Sequence, residues 1–525
     1  MENFIINRSE EVEIYLSEKE KPAVRLAAEN LCADLKRVCG AWAKLVTERN
    51  DDAAENGDVG MRGAAVDREA VENGRHTGKI VIGTLGITEL PNHSDVTCKK
   101  GTGIWEAFSL LVVDGVLYIA GADRRGTIYG IYEFCERIGV SPWYWFADVP
   151  VKKKKRIFLE NGFHKTDAPS VQYRGIFIND EEELEAWSQT YMKETTIGPK
   201  TYARVFELLL RLKANYIWPA MHVNAFNLDP ENGRLANEMG IVVGTSHCDM
   251  LLRSNQNEWT PWCEENDALD VSYDYSIAGR NREMIQRYWR GSVEQNLGYE
   301  VSYTVGMRGI HDSGFVAEKI DSRNDLSEEE KQKQKVALLE KVITDQREIL
   351  EDVTGNAHTF QTFVPYKEVL SLYDAGLNLP EDITLIWAND NFGYMRRYPN
   401  EKEQMRAGGH GLYYHASYWA HPGMSYLFFN STPLAHMKNE LRKSYENGIR
   451  KLWVLNAGAI KPLEQDITFF LRYAWEIGRE EPTTGDVCAF TESWIKQNFT
   501  GSHGKEAAAI YRDFTQITNV RKVEV

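Results

Sequence analysis

Lys367 and Glu368 follow almost directly on an apolar run at 360–364 that Pro365 closes. Other short apolar runs in the chain end on polar or aromatic side chains in the same way. In chain order their ends carry Asn179, Asp180 and Glu181, then Trp218 and His222, then His247 and Asp249. Arg308, His311 and Asp312 follow, and Lys367 and Glu368 come next. Asn389, Asp390 and Asn391, then Tyr414, His415 and Tyr418, and finally Asn456 complete the series. Each alone has a plainer use: an Asp after a strand caps the next helix, and a single histidine is usually a hydrogen-bonded structural one. Eight such ends together point to one shared mouth, because eight caps need not all carry side chains of this kind.

Two chemistries fit these residue types. Glycoside hydrolysis needs two carboxyl groups flanking the scissile bond, one protonated acid and one ionised base or nucleophile. Arg308 and Lys367 would then neutralise an acidic sugar, with Trp and Tyr packed on ring faces. Metal-assisted hydrolysis needs three or four His, Asp or Cys ligands and an open position. "SHCD" at 246–249 and "IHD" at 310–312 could supply them, but no HxH or HExxH spacing is present, so this reading is the alternative.

The elements that must position these residues are legible as a rhythm. Strand-like runs at 173–178, 215–221, 241–246, 300–306, 359–364, 383–388, 411–416 and 451–458 alternate with helical stretches. The helical spacing falls at 200–213, 230–239, 278–297, 327–352, 366–375, 432–449 and 465–479. This alternation over 171–480 predicts an α/β fold, a (β/α)8 TIM barrel whose strand ends meet on one face. An open doubly wound sheet would need a Gly-rich phosphate turn after its first strand, where "INDEEELEAW" stands instead. Before the barrel, residues 1–165 predict a smaller α/β domain. It has helical spacing at 20–39, a polar surface loop at 49–77, a strand at 79–83 and a helix ended by glycine at 125–139. Asp114-Gly115 between two apolar runs predicts a hairpin over 108–121. The basic run at 151–156 reads as a solvated strand or linker edge.

Composition sets the class. The chain of 525 residues is too long for one ordinary core and suggests two or three domains. Its net charge of −16 argues against a nucleic-acid partner. The seven cysteines are scattered with no CxxC pair, which suits reduced thiols. No basic-then-apolar leader opens the chain and no run reaches the length of a membrane span, so the expectation is a cytoplasmic protein without a membrane partner.

The strings "RGIFINDEEELEAW", "GIVVGTSHCDML", "TVGMRGIHD", "YKEVLSLYDAGL", "LIWANDNFGYMRR", "GGHGLYYHASY" and "LNAGAIKPLE" resemble glycoside hydrolase family 115, the xylan α-1,2-glucuronidases. The resemblance runs in family order over about 171–480. It implies an inverting barrel hydrolase without cofactor or metal, acting on glucuronoxylan or acidic xylo-oligosaccharides to release glucuronic acid or its 4-O-methyl ether. It puts the carboxylate pair at Glu368 as general acid and Asp312 as general base. An inverting pair stands roughly 6.5–9.5 Å apart. Asn179, Asp180, Trp218, His247, Arg308, Lys367, Asn391, His415 and Tyr418 are expected to bind the substrate. Lys367 is expected to point toward the uronate and away from Glu368. Two motifs depart from the family pattern: Asn389 replaces an expected Asp, and His311 stands in a "GIHD" where "GDGD" is expected. The family continues past the barrel, so 481–525 is expected to begin an incomplete helical domain, which would weaken a homodimer formed through that region. A barrel that binds acidic glycans without cutting them is the non-enzymatic alternative.

Overall fold

Asp114 and Gly115 turn the chain with φ of +46° and +78°, the mirror-image turn whose twist matches paired strands. The computed structural model describes residues 2–46, 79–88, 90, 105–146, 150–179, 181–416, 430–499 and 503–520; the expected loop at 49–77 lies outside them. The early strands are β1 (Phe4–Asn7), β2 (Glu11–Leu16), β3 (Trp42–Val46), β4 (Lys79–Thr84), β5 (Phe108–Val113), β6 (Val116–Gly121), β7 (Arg156–Leu159) and β8 (His164–Asp167). Six of them form a mixed sheet in the order β3-β2-β4-β6-β5-β8, and β1 pairs antiparallel with β7. The helix Arg124–Ile138 starts where the Asp123 carboxylate accepts the Gly126 N–H and stops at Gly139 in the left-handed region. It lies between β6 and the helix Pro199–Arg211, and so joins the two halves of the molecule. The basic run is exposed coil before β7, with the Lys152 and Lys153 ammonium groups donating to main-chain carbonyls of Lys496 and Arg37.

The later strands are β9 (Tyr173–Phe177), β10 (Tyr216–Trp218), β11 (Val242–Val243), β12 (Tyr303–Thr304), β13 (Gln361–Phe363), β14 (Thr384–Ala388), β15 (His410–His415) and β16 (Leu452–Asn456). They make one eight-stranded parallel sheet in the order β11-β10-β9-β16-β15-β14-β13-β12. Its two outer strands approach each other: the Val243 N–H donates to the Glu300 carbonyl and the Ser302 N–H to the Val243 carbonyl, a parallel bridge of Val243 with Val301. Phe177, Trp218, Val242, Ile386, Tyr413 and Val454 pack into a core of their own, separate from the larger core between strands and helices. Gly175 lets β9 and β10 lie close, since a Cβ there would meet the Tyr216 carbonyl oxygen at 1.8 Å. Helices fill the intervals where the spacing predicts them, and beyond the sheet the chain continues in helices Val487–Asn498 and Gly504–Val520. No described helix is long and apolar enough to cross a membrane.

A buried ion pair locks the two sheets together. Arg174 on β9 and Glu106 before β5 are both fully buried, with Nη2 2.6 Å from Oε2. The Asn215 amide adds bonds of 2.9 and 3.1 Å to the two carboxylate oxygens. Removing Glu106 strands the Arg174 charge without water, and removing Arg174 leaves the Glu106 carboxylate with the more distant Arg125, 3.6 Å away. Arg174→Met should therefore lose about 3–5 kcal/mol of unfolding free energy in denaturant titration, and adding Glu106→Leu should restore much of it. Equal losses in the single and double variants would show that the pair is not what joins the sheets.

Candidate active site

β12 and β13 are neighbours, and the loops at their ends bring four charges together. Arg308 is 2% exposed. Its Nη2 lies 2.9 Å from Glu368 Oε2, while Nη1 forms a close ion pair with Asp312 Oδ1. One guanidinium thus spans both carboxylates, and its planar fork suits this. Lys367 Nζ sits 2.7 Å from the other Asp312 oxygen, Oδ2. His247 Nε2 is 3.2 Å from Oδ1 but not aligned as a good hydrogen bond, and the Cys248 thiol donates to the same oxygen at 3.5 Å. Glu368 Oε1 accepts the Phe315 N–H at 2.9 Å. Asp312 and Lys367 both have positive φ, +58° and +50°. Such a conformation costs a non-glycine residue on the order of 1–3 kcal/mol and persists only where its surroundings impose it.

The charges settle each other's protonation. Burial alone would raise the Asp312 carboxyl, but His247, Arg308 and Lys367 together outweigh it and hold the group well below the usual carboxylate range. Burial lowers His247 despite its carboxylate neighbour, with Arg308 and Lys367 adding to the shift. His415 is pushed down to about 3 by burial, then by His247 and Lys367. Its Nδ1 meets Asn389 Oδ1 at 2.7 Å, so Nδ1 carries the proton, and its main-chain N–H meets the same oxygen at 2.9 Å. Tyr366 closes this side, with its ring 4.6 Å from that of His247 and 6.2 Å from that of His415.

Asp312, Glu368, Arg308, Lys367 and His247 are thus brought together, and His415 joins them across Tyr366. Asn179 is half-buried just after β9, and Asn391 is exposed just after β14. Asp180 and Tyr418 lie outside the described residues. Two expectations change. Trp218 is fully buried, its indole N–H bonded to the Tyr216 hydroxyl at 2.9 Å and its ring edge-on to Phe177, so it packs below the mouth and offers no face to a sugar. Arg308 was expected to meet a substrate carboxylate, but its two terminal nitrogens face the protein's own two. Lys367 does turn away from Glu368, toward Asp312.

Some supporting roles carried no signal in the sequence. The buried Glu181 carboxylate accepts four consecutive main-chain N–H groups, Met221 to Asn224, at 2.6–2.8 Å, and so folds the loop after β10. The Asn255 amide donates to the carbonyls of Cys248 and Gly309, each at 3.0 Å, and ties the His247 loop to the Arg308 loop. Among the described residues, the ligating atoms of His247, Cys248 and Asp312 fall within 4.8 Å of one another. The donor set suits a metal poorly, because both Asp312 oxygens already face a cation and one of these, a guanidinium, never loses its proton.

A family model described as glycosyl hydrolase family 115 matches residues 166–525. Among solved structures, the chain is similar to BtGH115A, described as a novel family GH115 4-O-methyl-α-glucuronidase with specificity for decorated arabinogalactans. The identity is 34% and the TM-score 0.83, over 99% of this chain and 63% of that one. The chain therefore spans less than two thirds of that relative. A GH138 enzyme targeting pectin rhamnogalacturonan II aligns over 97% of this chain and 69% of its own, with 14% identity and a TM-score of 0.55. A chitobiase from Flavobacterium johnsoniae aligns over 99% and 72%, with 10% identity and a TM-score of 0.52. These last two share the fold alone. No curated protein matches the chain.

The histidine beside Asn389 makes stability depend on pH. An unfolded histidine takes up a proton below its ordinary value of 6.5, whereas His415 refuses one until about 3. The unfolded state then binds more protons, so stability is full above 6.5 and falls as pH drops through that window. Between pH 7 and pH 5 the loss due to His415 is about 2 kcal/mol. His415→Gln should show a correspondingly smaller drop in unfolding free energy over that interval; an unaltered drop would mean that the ring is not held neutral.

Proposed function

The chain belongs to glycosyl hydrolase family 115, and from that premise we propose that it is an inverting hydrolase releasing α-1,2-linked glucuronic acid, or its 4-O-methyl ether, from a decorated glycan. We read the eight-stranded sheet as a closed (β/α)8 barrel forming a catalytic domain at 171–480, which the Val243–Val301 bridge supports. In the same reading residues 1–165 are an accessory α/β domain and 481–525 begin a helical one.

The observation that carries the proposal is the pair of unlike carboxylates on one guanidinium. Asp312 is crowded by cations that keep it ionised, while Glu368, among the described residues, meets Arg308 and a main-chain N–H and is 39% exposed. In the proposed reaction Glu368 gives its proton to the glycan oxygen as the bond from that oxygen to the uronate C1 breaks. Asp312 takes a proton from the water whose oxygen bonds to C1 from the other face. Lys367 is half-exposed on a flexible stem. A uronate carboxylate that drew it away would leave Asp312 with one cation fewer and make it a better base. Arg308 acts by holding both carboxylates. The main chain is expected to be xylan; the arabinogalactan specificity of the solved relative supports a second substrate for comparison. Incubation with glucuronoxylan oligosaccharides and with glucuronic-acid-decorated arabinogalactan should release free uronic acid from at least one, first as the inverted anomer. No release from either would overturn the proposal.

Glu368→Ala should abolish cleavage of glycans, whose leaving oxygen needs a proton. It should spare far more activity on an aryl glucuronide with a good leaving group, by roughly 10²–10⁴. Asp312→Asn should lose both activities. Equal losses in Glu368→Ala would remove it from the acid role. Chelator treatment should leave hydrolysis intact; loss restored by a divalent ion would favour the metal-dependent reading instead.

A further inference from the structure

The turn after β14 is rigid, yet it leaves two large rings in water. The Asp390 carboxylate accepts the N–H groups of Phe392 and Tyr394 at 3.0 and 2.9 Å and the Arg396 Nε at 2.5 Å. Gly393 makes the bend with φ +85°, and its carbonyl accepts the Tyr414 hydroxyl at 2.9 Å. Asn389 and Met395 close the base as an antiparallel bridge. The Tyr394 ring stands edge-on to His436 at 4.3 Å. Even so, Phe392 is 47% exposed and Tyr394 44%. Single exposed apolar residues need no explanation. A fixed pair two residues apart, on a turn whose backbone is fully organised, is a different matter.

Its position adds to this. β14 lies between β13, whose end carries Lys367 and Glu368, and β15, whose end carries His415. Asn389 at the root of the turn is 3% exposed, and its Nδ2 has no hydrogen-bond partner among the described residues. A buried amide donor without an acceptor is rare and marks a place where a ligand oxygen can sit. The charges beside the rings pair with each other: Asp390 engages Arg396 through Nε, and the Arg396 guanidinium lies over the Tyr394 ring, 5.2 Å from its centroid.

We propose that the turn 389–396 is a subsite for a neutral sugar of the glycan main chain, next to the uronate. Pyranose C–H faces would pack on Phe392 and Tyr394, while a hydroxyl oxygen accepts from Asn389 Nδ2. Aromatic rings provide such faces with little conformational freedom to lose. The inference rests on the hydrolase reading above and adds to it: Lys367 takes the acidic sugar, and this turn takes the uncharged one.

The test compares Phe392→Ala, Tyr394→Ala and the conservative Phe392→Trp on a decorated oligosaccharide and on an aryl glucuronide. The alanine variants should raise KM for the oligosaccharide roughly tenfold more than for the aryl glucuronide, and Phe392→Trp should retain most of the affinity. Equal effects on both substrates, or none on either, would overturn the subsite. Calorimetric titration with undecorated main-chain oligosaccharide separates this failure from failure of the hydrolase reading. Binding that weakens in Phe392→Ala supports the subsite whether or not uronic acid is released, and binding that does not weaken overturns it. A concentration-dependent dimer abolished by the same variants would assign the rings to a second copy of the chain and overturn it as well.

Discussion

The fold encloses the Arg308 guanidinium and leaves only 3% of that side chain exposed. A guanidinium so enclosed without anions would destabilise the protein by several kcal/mol. The Asp312 and Glu368 carboxylates are therefore a condition of the burial. The dependence also runs the other way. Two carboxyl groups at the ends of neighbouring strands have no reason of their own to stay together, and the fork of Arg308 fixes both on adjacent nitrogens. From this follow the ionised Asp312, the second cation on its other oxygen, and the neutral His247 pressed against it. An exposed pair such as Arg323–Asp325 has a comparable local geometry and no such consequence, because water screens both of its members.

Part of the irregularity of the frame around that interaction lies where the charges are. Asp312 and Lys367 have positive φ, and so do the buried Leu251 and Leu252 in the loop that leads away from His247. None of these is glycine. Conformations of this kind are unfavourable locally and survive because other bonds determine the loop. Here those bonds include Asn255 reaching across two loops and the Glu181 carboxylate gathering four amides. The parallel strands below are buried except at Tyr173 and Ala388, as a sheet covered on both faces requires. A rigid floor with strained rims lets side chains from separate strands be set independently of the core that carries them.

The scaffold was legible in the sequence because its signal is periodic and repeats eight times. Each strand from β9 to β16 lies within or one residue from its expected run, and the hairpin at Asp114-Gly115 follows from two residues whose φ the turn dictates. Trp218 was misplaced for a reason that alternation explains. Successive side chains of a strand face opposite ways, and the last residue of β10 faces the interior core, where Tyr216 takes its N–H. Residue type suggested a stacking platform, but only the pleat decides which way the ring points. Glu181 stood among the strand-end residues with nothing to show what it binds, and Asn255 left no mark, because their partners are main-chain groups, which every residue has.

Arg308 is the more instructive case. The sequence shows a cation at a strand end, one acidic residue at the same end and another at the next, and an acidic substrate would supply a third. Nothing in residue type says which anion the cation faces. Burial decides it: a guanidinium that must be dry before any substrate arrives needs a counter-charge that is always present, and the ionised Asp312 supplies it. Lys367 is half-exposed and can exchange partners, since water holds its charge when Asp312 does not. The two cations of the mouth are thus distinguished by accessibility, with the enclosed one fixing the carboxylates and the open one left to respond to what binds.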